Sequence, residues 1–175
     1  CDGVTVRGVK IWNSLVTPNS DGLDLTSCSN VNVSDCYIRT GDDAIAITGY
    51  AFHYELPGYY NLRHSSENIN ITNCHLQSRS SGLRIGFEDQ NSIRNLNISN
   101  ITITNSNRGI AICVRDSGSI ENVKIAQAHI ETRLHTGDWW GNGEPIHISA
   151  LHSKKEGGLG QIRNLSFRDI TCTGE

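Results

Sequence analysis

Apolar and polar residues alternate along most of the chain, in short segments that recur at regular intervals. Equivalent apolar positions return after 27 residues, from Val6 to Val33, from Ile71 to Ile98 and from Ile98 to Ile125. Alternation with a period of two is typical of strands that are buried on one face. The chain is therefore predicted to contain many short, evenly spaced β-strands.

A second series of segments lies between these strands, and each member is a small residue followed by an apolar alternation. Two series that alternate at a fixed period predict a solenoid, in which each coil of three strand segments buries its inward side chains against the neighbouring coils. We therefore predict an all-β, right-handed parallel β-helix of about six coils, forming one domain over residues 1–175. The members of the second series begin at Gly22, Ala44, Gly82, Gly109 and Pro145.

Two longer steps, of 38 and 42 residues, interrupt the period and place insertions at about residues 49–66 and 133–144. Insertions in a solenoid usually gather on one side and form its binding face. Outward Asn residues within the repeat predict polar ladders along the stacked strands rather than glycosylation sites. These residues are Asn32, Asn70, Asn97, Asn100 and Asn164.

Composition narrows the functional classes. The net charge is −3 with no basic stripe, which argues against a nucleic-acid partner. No apolar run approaches the roughly 18 residues needed to span a bilayer, so we expect no membrane segment. The sequence begins at Cys1 without a charged and apolar leader, and we expect it to be part of a longer protein.

The six cysteines form no CxxC pair and have no spacing typical of zinc ligands. Cys36 and Cys74 fall in the column that contains Ile101, and Cys172 falls in the column that contains Ile130. We therefore interpret them as small buried hydrophobic residues, with a disulfide framework as the alternative.

Three carboxylates converge when the coils are aligned. Asp21 and Asp43 both directly precede the small residue of their coil, and Asp42 is adjacent in sequence. Parallel strands stack about 4.8 Å apart, so repulsion should raise the pKa of at least one of these acids. A protonated acid beside carboxylates suits glycoside hydrolysis. The alternatives are a cation site with oxygen ligands or an Asp-rich turn.

At these positions the chain resembles the polygalacturonase family, glycoside hydrolase family 28. Asn-Ser-Asp-Gly at residues 19–22 and Gly-Asp-Asp at 41–43 are similar to the family's N-T-D-G and G/Q-D-D motifs. The resemblance continues through Ser-Gly-Leu-Arg-Ile-Gly at 81–86 and through 93–112. It covers most of the chain but only the catalytic half of a full-length family member.

The resemblance implies an inverting hydrolase that uses no metal or cofactor. Asp42 would be the general acid, and Asp21 and Asp43 would hold and activate the water. Inverting enzymes need carboxyl groups roughly 6.5–9.5 Å apart, which staggered side chains on adjacent coils can provide. Asn19 is expected to contact the substrate, a pectin-like or decorated plant polysaccharide. A secreted or periplasmic monomer is expected.

The family's positively charged positions are altered in this chain. Its histidine maps to Ser81, and its R-I-K pair maps to Ala111 and Cys113. Either the enzyme cleaves a different or modified linkage, or its catalytic apparatus has decayed. Retention of all three Asp favours altered specificity over plain cleavage of polygalacturonate.

Two arginines are candidates to replace the missing cations. Arg84 occupies the column of the missing arginine one coil earlier, and Arg115 lies just past the altered positions. An arginine binds a sugar carboxylate through two hydrogen bonds, so both are predicted to contact the substrate. The alternative for Arg84 is an outward ion pair with Asp24 or Glu88.

The insertions supply further candidates. Trp139 and Trp140 are predicted to form a platform for sugar rings, and His53 or His64 to replace the lost histidine. The alternative is that these aromatics only fix their own loops. Long insertions predict a partly closed pocket and therefore an exo-acting or short-substrate enzyme.

Two other functions fit the same pattern. One is a calcium-dependent polysaccharide lyase, which would use a cation and a Lys or Arg base. The other is a glycan-binding β-helix without catalytic activity.

Overall fold

The structure, a computed structural model, describes residues 1–49, 64–87, 91–135, 140–152 and 158–174. Within these ranges the chain forms thirteen β-strands and no helix, so no described segment is a long apolar helix that could cross a membrane. The strands are β1 (Asp2–Arg7), β2 (Lys10–Trp12), β3 (Leu23–Thr26), β4 (Ser29–Ser34), β5 (Tyr37–Thr40), β6 (Ile45–Thr48), β7 (Ser66–Ser78), β8 (Ser81–Ile85), β9 (Ile93–Ser106), β10 (Arg108–Arg115), β11 (Ser119–Thr132), β12 (Ile146–Leu151) and β13 (Gln161–Gly174).

The strands form two parallel sheets along one axis. The first sheet has the order β1-β4-β7-β9-β11-β13, with β2 and β5 paired beside it, and the second has the order β12-β10-β8-β6-β3. Successive strands in each of these orders belong to successive coils. The six strands from β1 to β13 in the first sheet therefore correspond to six coils. The chain is a right-handed parallel β-helix, which confirms the fold predicted from the repeat.

The register of the sheets follows the predicted columns. Ile71 pairs with Ile98, and Ile98 pairs with Ile125, as the 27-residue period requires. These three side chains are at most 2% exposed and lie in a continuous core of aliphatic residues. Burial of such columns between coils, together with the parallel backbone hydrogen bonds, holds each coil on the next.

Bends between strand segments are made by residues with positive φ. Asn73, Asn100 and Asp169 have φ between 52° and 55° inside their long strands. Asn and Asp tolerate this conformation better than other non-glycine residues. Asn side chains also bond from coil to coil, as in the donation of Asn70 Nδ2 to Asn32 Oδ1 at 3.1 Å. The predicted polar ladders are therefore present.

All six cysteines are unpaired thiols. Cys28, Cys36 and Cys74 are buried in the core. The prediction is wrong for Cys172, which is exposed although it pairs with Ile130 in the expected column. Among the strands that the structure describes, β13 pairs only with β11, so none of them covers this side chain.

Small residues at the start of the second-sheet strands permit close approach of adjacent coils. A Cβ atom added at Gly22 would lie 2.3 Å from the carbonyl oxygen of Ala44, and one at Gly109 would lie 2.3 Å from that of Pro145. This contact leaves no room for a side chain at either glycine. The residue that precedes the glycine is therefore brought against the adjacent coil.

The predicted insertions are only partly described. β6 ends at Thr48 and β7 begins at Ser66, and residues 50–63 and 136–139 lie outside the described ranges. The expectation of one domain that forms the catalytic half of a longer protein stays a prediction.

Truncation of a core column tests the stacking directly. Ile125→Ala should lower the free energy of unfolding by about 2–5 kcal/mol, because it leaves a cavity between three coils. The control is Lys124→Ala on the exposed face of the same strand, which should stay within about 0.5 kcal/mol of wild type. Denaturant unfolding measures both, and equal losses would contradict the predicted inward and outward faces.

Candidate active site

The segment that precedes β3 carries the first carboxylate. Asn13 Nδ2 donates to the carbonyl oxygens of Ser20 (3.2 Å) and Asp21 (3.1 Å), which fixes this turn. The N–H of Gly22 donates to the carbonyl oxygen of Asp43 at 3.0 Å. Two adjacent coils are thereby joined at the residues that the sequence aligned.

Asp42 is held in the tight turn between β5 and β6. Its carbonyl oxygen accepts hydrogen bonds from the hydroxyl groups of Thr40 (2.5 Å) and Ser78 (2.6 Å). Its carboxylate accepts from the backbone N–H of Asn19 and of Asp43, each at 3.0 Å. The side chain is therefore fixed by both its own coil and the preceding one.

Asp43 is the most deeply buried of the three acids, with 3% of the residue exposed. Its Oδ1 accepts from the hydroxyl group of Ser80 and from the backbone N–H of Ser81, both at 2.9 Å. Its Oδ2 forms an ion pair with Nε of Arg84. Both of its oxygens are therefore held by the following coil.

The three carboxylates converge on one patch. Asp21, Asp42 and Asp43 each offer an oxygen within 4.8 Å of the others. All three line a pocket of about 550 Å³ together with Asp24 of β3. The predicted convergence of the acids is thus found, in an open cleft rather than in the core.

Burial and mutual repulsion change how these acids ionise. Burial, followed by the charges of Asp42, Asp24 and Asp43, raises the pKa of Asp21 to about 7. Burial and the charge of Asp43 also raise the pKa of Asp42, although hydrogen bonds from backbone N–H groups oppose this. The cluster therefore retains a proton near neutral pH, and strongly coupled groups share it rather than titrate one by one.

Arg84 extends from β8 into the pocket, and only 16% of its side chain is exposed. Its guanidinium pairs with Asp43. The charge of Arg84 also lowers the pKa of Asp24, so the alternative of an outward pair with Asp24 stays a prediction. Glu88, the other partner considered, lies outside the described residues. The Cζ atom lies 4.9 Å from the ring centre of Phe87, and Nη1 donates to the carbonyl oxygen of Gly86 at 3.2 Å.

A second ion pair lies at the other side of the pocket. Arg108 donates to both oxygens of Glu144, at 3.0 and 3.4 Å. Burial alone would raise the pKa of Glu144, but the hydrogen bonds from Arg108 and from the backbone N–H of Asn142 lower it to about 2.

The buried Asn107 donates to the carbonyl oxygens of Trp140 (2.9 Å) and Gly141 (3.0 Å). These bonds hold this part of the second insertion at the pocket, where Trp140 is 69% exposed.

The structure places some of the predicted substrate-binding residues, but not all of them, in the pocket of the three acids. Asn19, Arg84, Arg115 and Trp140 line the same pocket as the three acids. The structure does not bring His64 to this pocket; His64 lines a different depression with Cys1 and neighbouring residues. His64 leads into β7 of the first sheet, whereas the acids precede strands of the second. His53 and Trp139 lie outside the described residues.

Sequence reasoning missed three contributors to the site. Ser80 was overlooked because its hydroxyl group acts across coils, one position before the aligned column. Phe87 follows the end of β8 and belongs to no alternation. Arg108 directly precedes Gly109, as Asp21 precedes Gly22, and this shared column is a signal that could place it in the pocket.

The arrangement can perform acid/base chemistry. A shared proton near neutral pH supplies an acid, and the remaining carboxylates supply a base. Three converging carboxylate oxygens could also bind a hard cation, but the Arg84 guanidinium already supplies a positive charge at Asp43. The nearest oxygens are closer than the 6.5–9.5 Å carboxyl separation of inverting enzymes. The geometry therefore gives no independent support for inversion.

Comparisons with known proteins agree with this picture. Residues 1–137 match the model of Glycosyl hydrolases family 28. A probable polygalacturonase of Arabidopsis thaliana is 31% identical over 100 residues, which are 49% of this chain and 22% of that protein. A polygalacturonase of Juniperus ashei is 40% identical over 47 residues, which are 27% of this chain and 9% of that protein.

One solved structure has the same fold over nearly the whole chain. It is the polygalacturonase from Erwinia carotovora ssp. carotovora, which superposes with a TM-score of 0.65 at 18% identity. The superposition covers 98% of this chain and 50% of that one. The chain thus spans about half the length of this structure, and its matched parts are less than a quarter of the relatives above. The match to the family model over residues 1–137 shows that this chain belongs to glycoside hydrolase family 28.

Proposed function

We propose that this chain carries the acid/base centre of a glycoside hydrolase that cleaves a pectin-like or decorated plant polysaccharide with inversion. One observation carries the proposal: three carboxylates on two adjacent coils meet within 4.8 Å in an open pocket. Membership of the family and the likeness to polygalacturonases support the reaction class. Support for inversion comes from the resemblance of the motifs alone.

The resemblance of the motifs assigns the roles of the acids. In the proposed reaction Asp42 donates a proton to the oxygen of the leaving sugar, and water attacks the anomeric carbon. Asp21 and Asp43 orient that water and accept its proton. The raised pKa of Asp21 places the resting proton of the cluster nearer to Asp21, so the mechanism requires the proton to reach Asp42 before cleavage.

The rest of the pocket suits a sugar with acidic groups. Trp140 offers an exposed aromatic surface for a pyranose ring, and Arg115 offers a guanidinium for a carboxylate. Ala111 and Cys113 form the wall where the family pattern has larger cationic residues. We infer from this wider space a substrate other than plain polygalacturonate. A secreted monomer that acts on short chains or chain ends completes the proposal.

Product analysis tests the reaction class. Pectic and hemicellulosic oligosaccharides, including oligogalacturonates and rhamnose-containing fragments, should yield reducing sugars whose first-formed anomer is inverted in ¹H NMR. Activity should be insensitive to EDTA. An unsaturated product that absorbs in the ultraviolet, with loss of activity in EDTA, would indicate a lyase. Initial retention of the anomer would overturn the assignment of inversion.

Substitution of the general acid tests the mechanism. Asp42→Asn keeps the shape of the side chain but cannot donate a proton to the leaving group, and kcat should fall by about 10²–10⁴-fold. Asp169→Asn is the matched control, because Asp169 is two-thirds exposed on β13 and its positive φ suits Asn. Undiminished turnover in Asp42→Asn would overturn the assignment. Glycan binding without turnover in the wild type would indicate a binding module instead.

A further inference from the structure

The positive charge nearest to the acids is the guanidinium of Arg84, on strand β8. Arg84 lies in register with Ala46 on one side and Ala111 on the other. Its Nε contacts Asp43, its Nη1 bonds to the carbonyl oxygen of Gly86, and its plane lies against Phe87. Two small neighbours and three directed contacts fix the guanidinium beside Asp43.

Asp43 in turn depends on this contact. The two donors on its Oδ1, from Ser80 and Ser81, orient one oxygen, and Arg84 orients the other. A carboxylate oxygen can accept two hydrogen bonds, so Oδ1 is fully occupied and Oδ2 retains the capacity to accept one more from the pocket. Removal of Arg84 would leave a largely buried carboxylate with donors on one side only, free to rotate away from the water it must hold.

The charge of Arg84 also reaches the other acids. It lowers the pKa values of Asp21, Asp24 and Asp42, against the burial that raises all three. Four carboxyl groups therefore surround one pocket, with this guanidinium as a shared counter-charge.

We infer that Arg84 is a positioning residue, whose ion pair with Asp43 fixes the water-holding carboxylate and keeps the acid cluster partly ionised. This inference rests on the proposed hydrolase function and revises the predicted role of Arg84 as a direct substrate ligand. A substrate ligand acts mainly on KM, whereas a positioning residue acts on kcat and on the pH at which activity is lost.

The test compares Arg84→Met and Arg84→Lys, with oligogalacturonates and rhamnose-containing pectic fragments as substrates. Arg84→Met should lower kcat by about 10²-fold, the effect of a catalytic group displaced by about 1 Å. Without the counter-charge the acids hold their proton more tightly, so the alkaline limb of the pH–kcat profile should move to higher pH. Arg84→Lys keeps the charge but loses the planar contacts. Its alkaline limb should lie at the wild-type pH, whereas its kcat should recover only in part.

Arg94→Met is the matched control, because Arg94 forms the same kind of Nε ion pair with Glu67 outside this pocket. It should keep both kcat and the pH profile of the wild type. A raised KM with an unchanged pH profile in Arg84→Met would overturn the inference and assign Arg84 to the substrate. If Arg84→Met does not fold, Arg84→Lys decides: a lowered kcat at constant KM supports positioning, and a raised KM at constant kcat contradicts it.

Different results would contradict the proposed hydrolase function and the proposed role of Arg84. Full activity of Asp42→Asn removes the proposed function itself. An inactive Asp42→Asn together with a wild-type pH profile in Arg84→Met removes only the inference about Arg84.

Discussion

The parallel stacking of coils is the constraint on which the rest of this structure depends. Backbone hydrogen bonds between coils and inward columns of aliphatic side chains set one register for the whole chain. That register places Asp21 beside Asp43, although 22 residues separate them. Gly22 makes the approach close, since any side chain there would collide with the backbone of Ala44. The site is therefore a product of the core, even though its acids line an open pocket.

Convergence of the acids has a cost for stability. The pKa of Asp21 rises from an ordinary value of 3.8 to about 7 in the folded protein. Between these two pH values the folded chain holds a proton that the unfolded chain releases, so the stability contributed by this group falls as the pH rises. The buried hydroxyl groups of Thr40 and Ser78, and the ion pair of Arg84 with Asp43, hold the arrangement against this repulsion.

Much of the fold and of the site could be predicted from the sequence. In a solenoid, residues that are one coil apart in the sequence are neighbours in space. The 27-residue period fixed the columns, and the column before the small residues brought Asp21 and Asp43 together. The same reasoning failed where contacts leave the columns. Ser80 reaches Asp43 by a hydroxyl group across the turn, and His64 points to another depression because it belongs to the approach to β7. Cys172 was expected inside because its column is apolar, but burial needs a coil on both sides.

Shared protonation of the converging acids is the central claim, and a direct titration tests it. Carboxyl ¹³C signals of labelled Asp residues should be followed from pH 4 to 9 in the wild type and in Asp21→Asn. The account predicts a titration step near pH 7 that appears in more than one Asp signal, and the absence of this step from the Asp21→Asn spectrum. If every Asp signal completed its titration below pH 5, the carboxylates would not share a proton and the proposed acid/base centre would be contradicted.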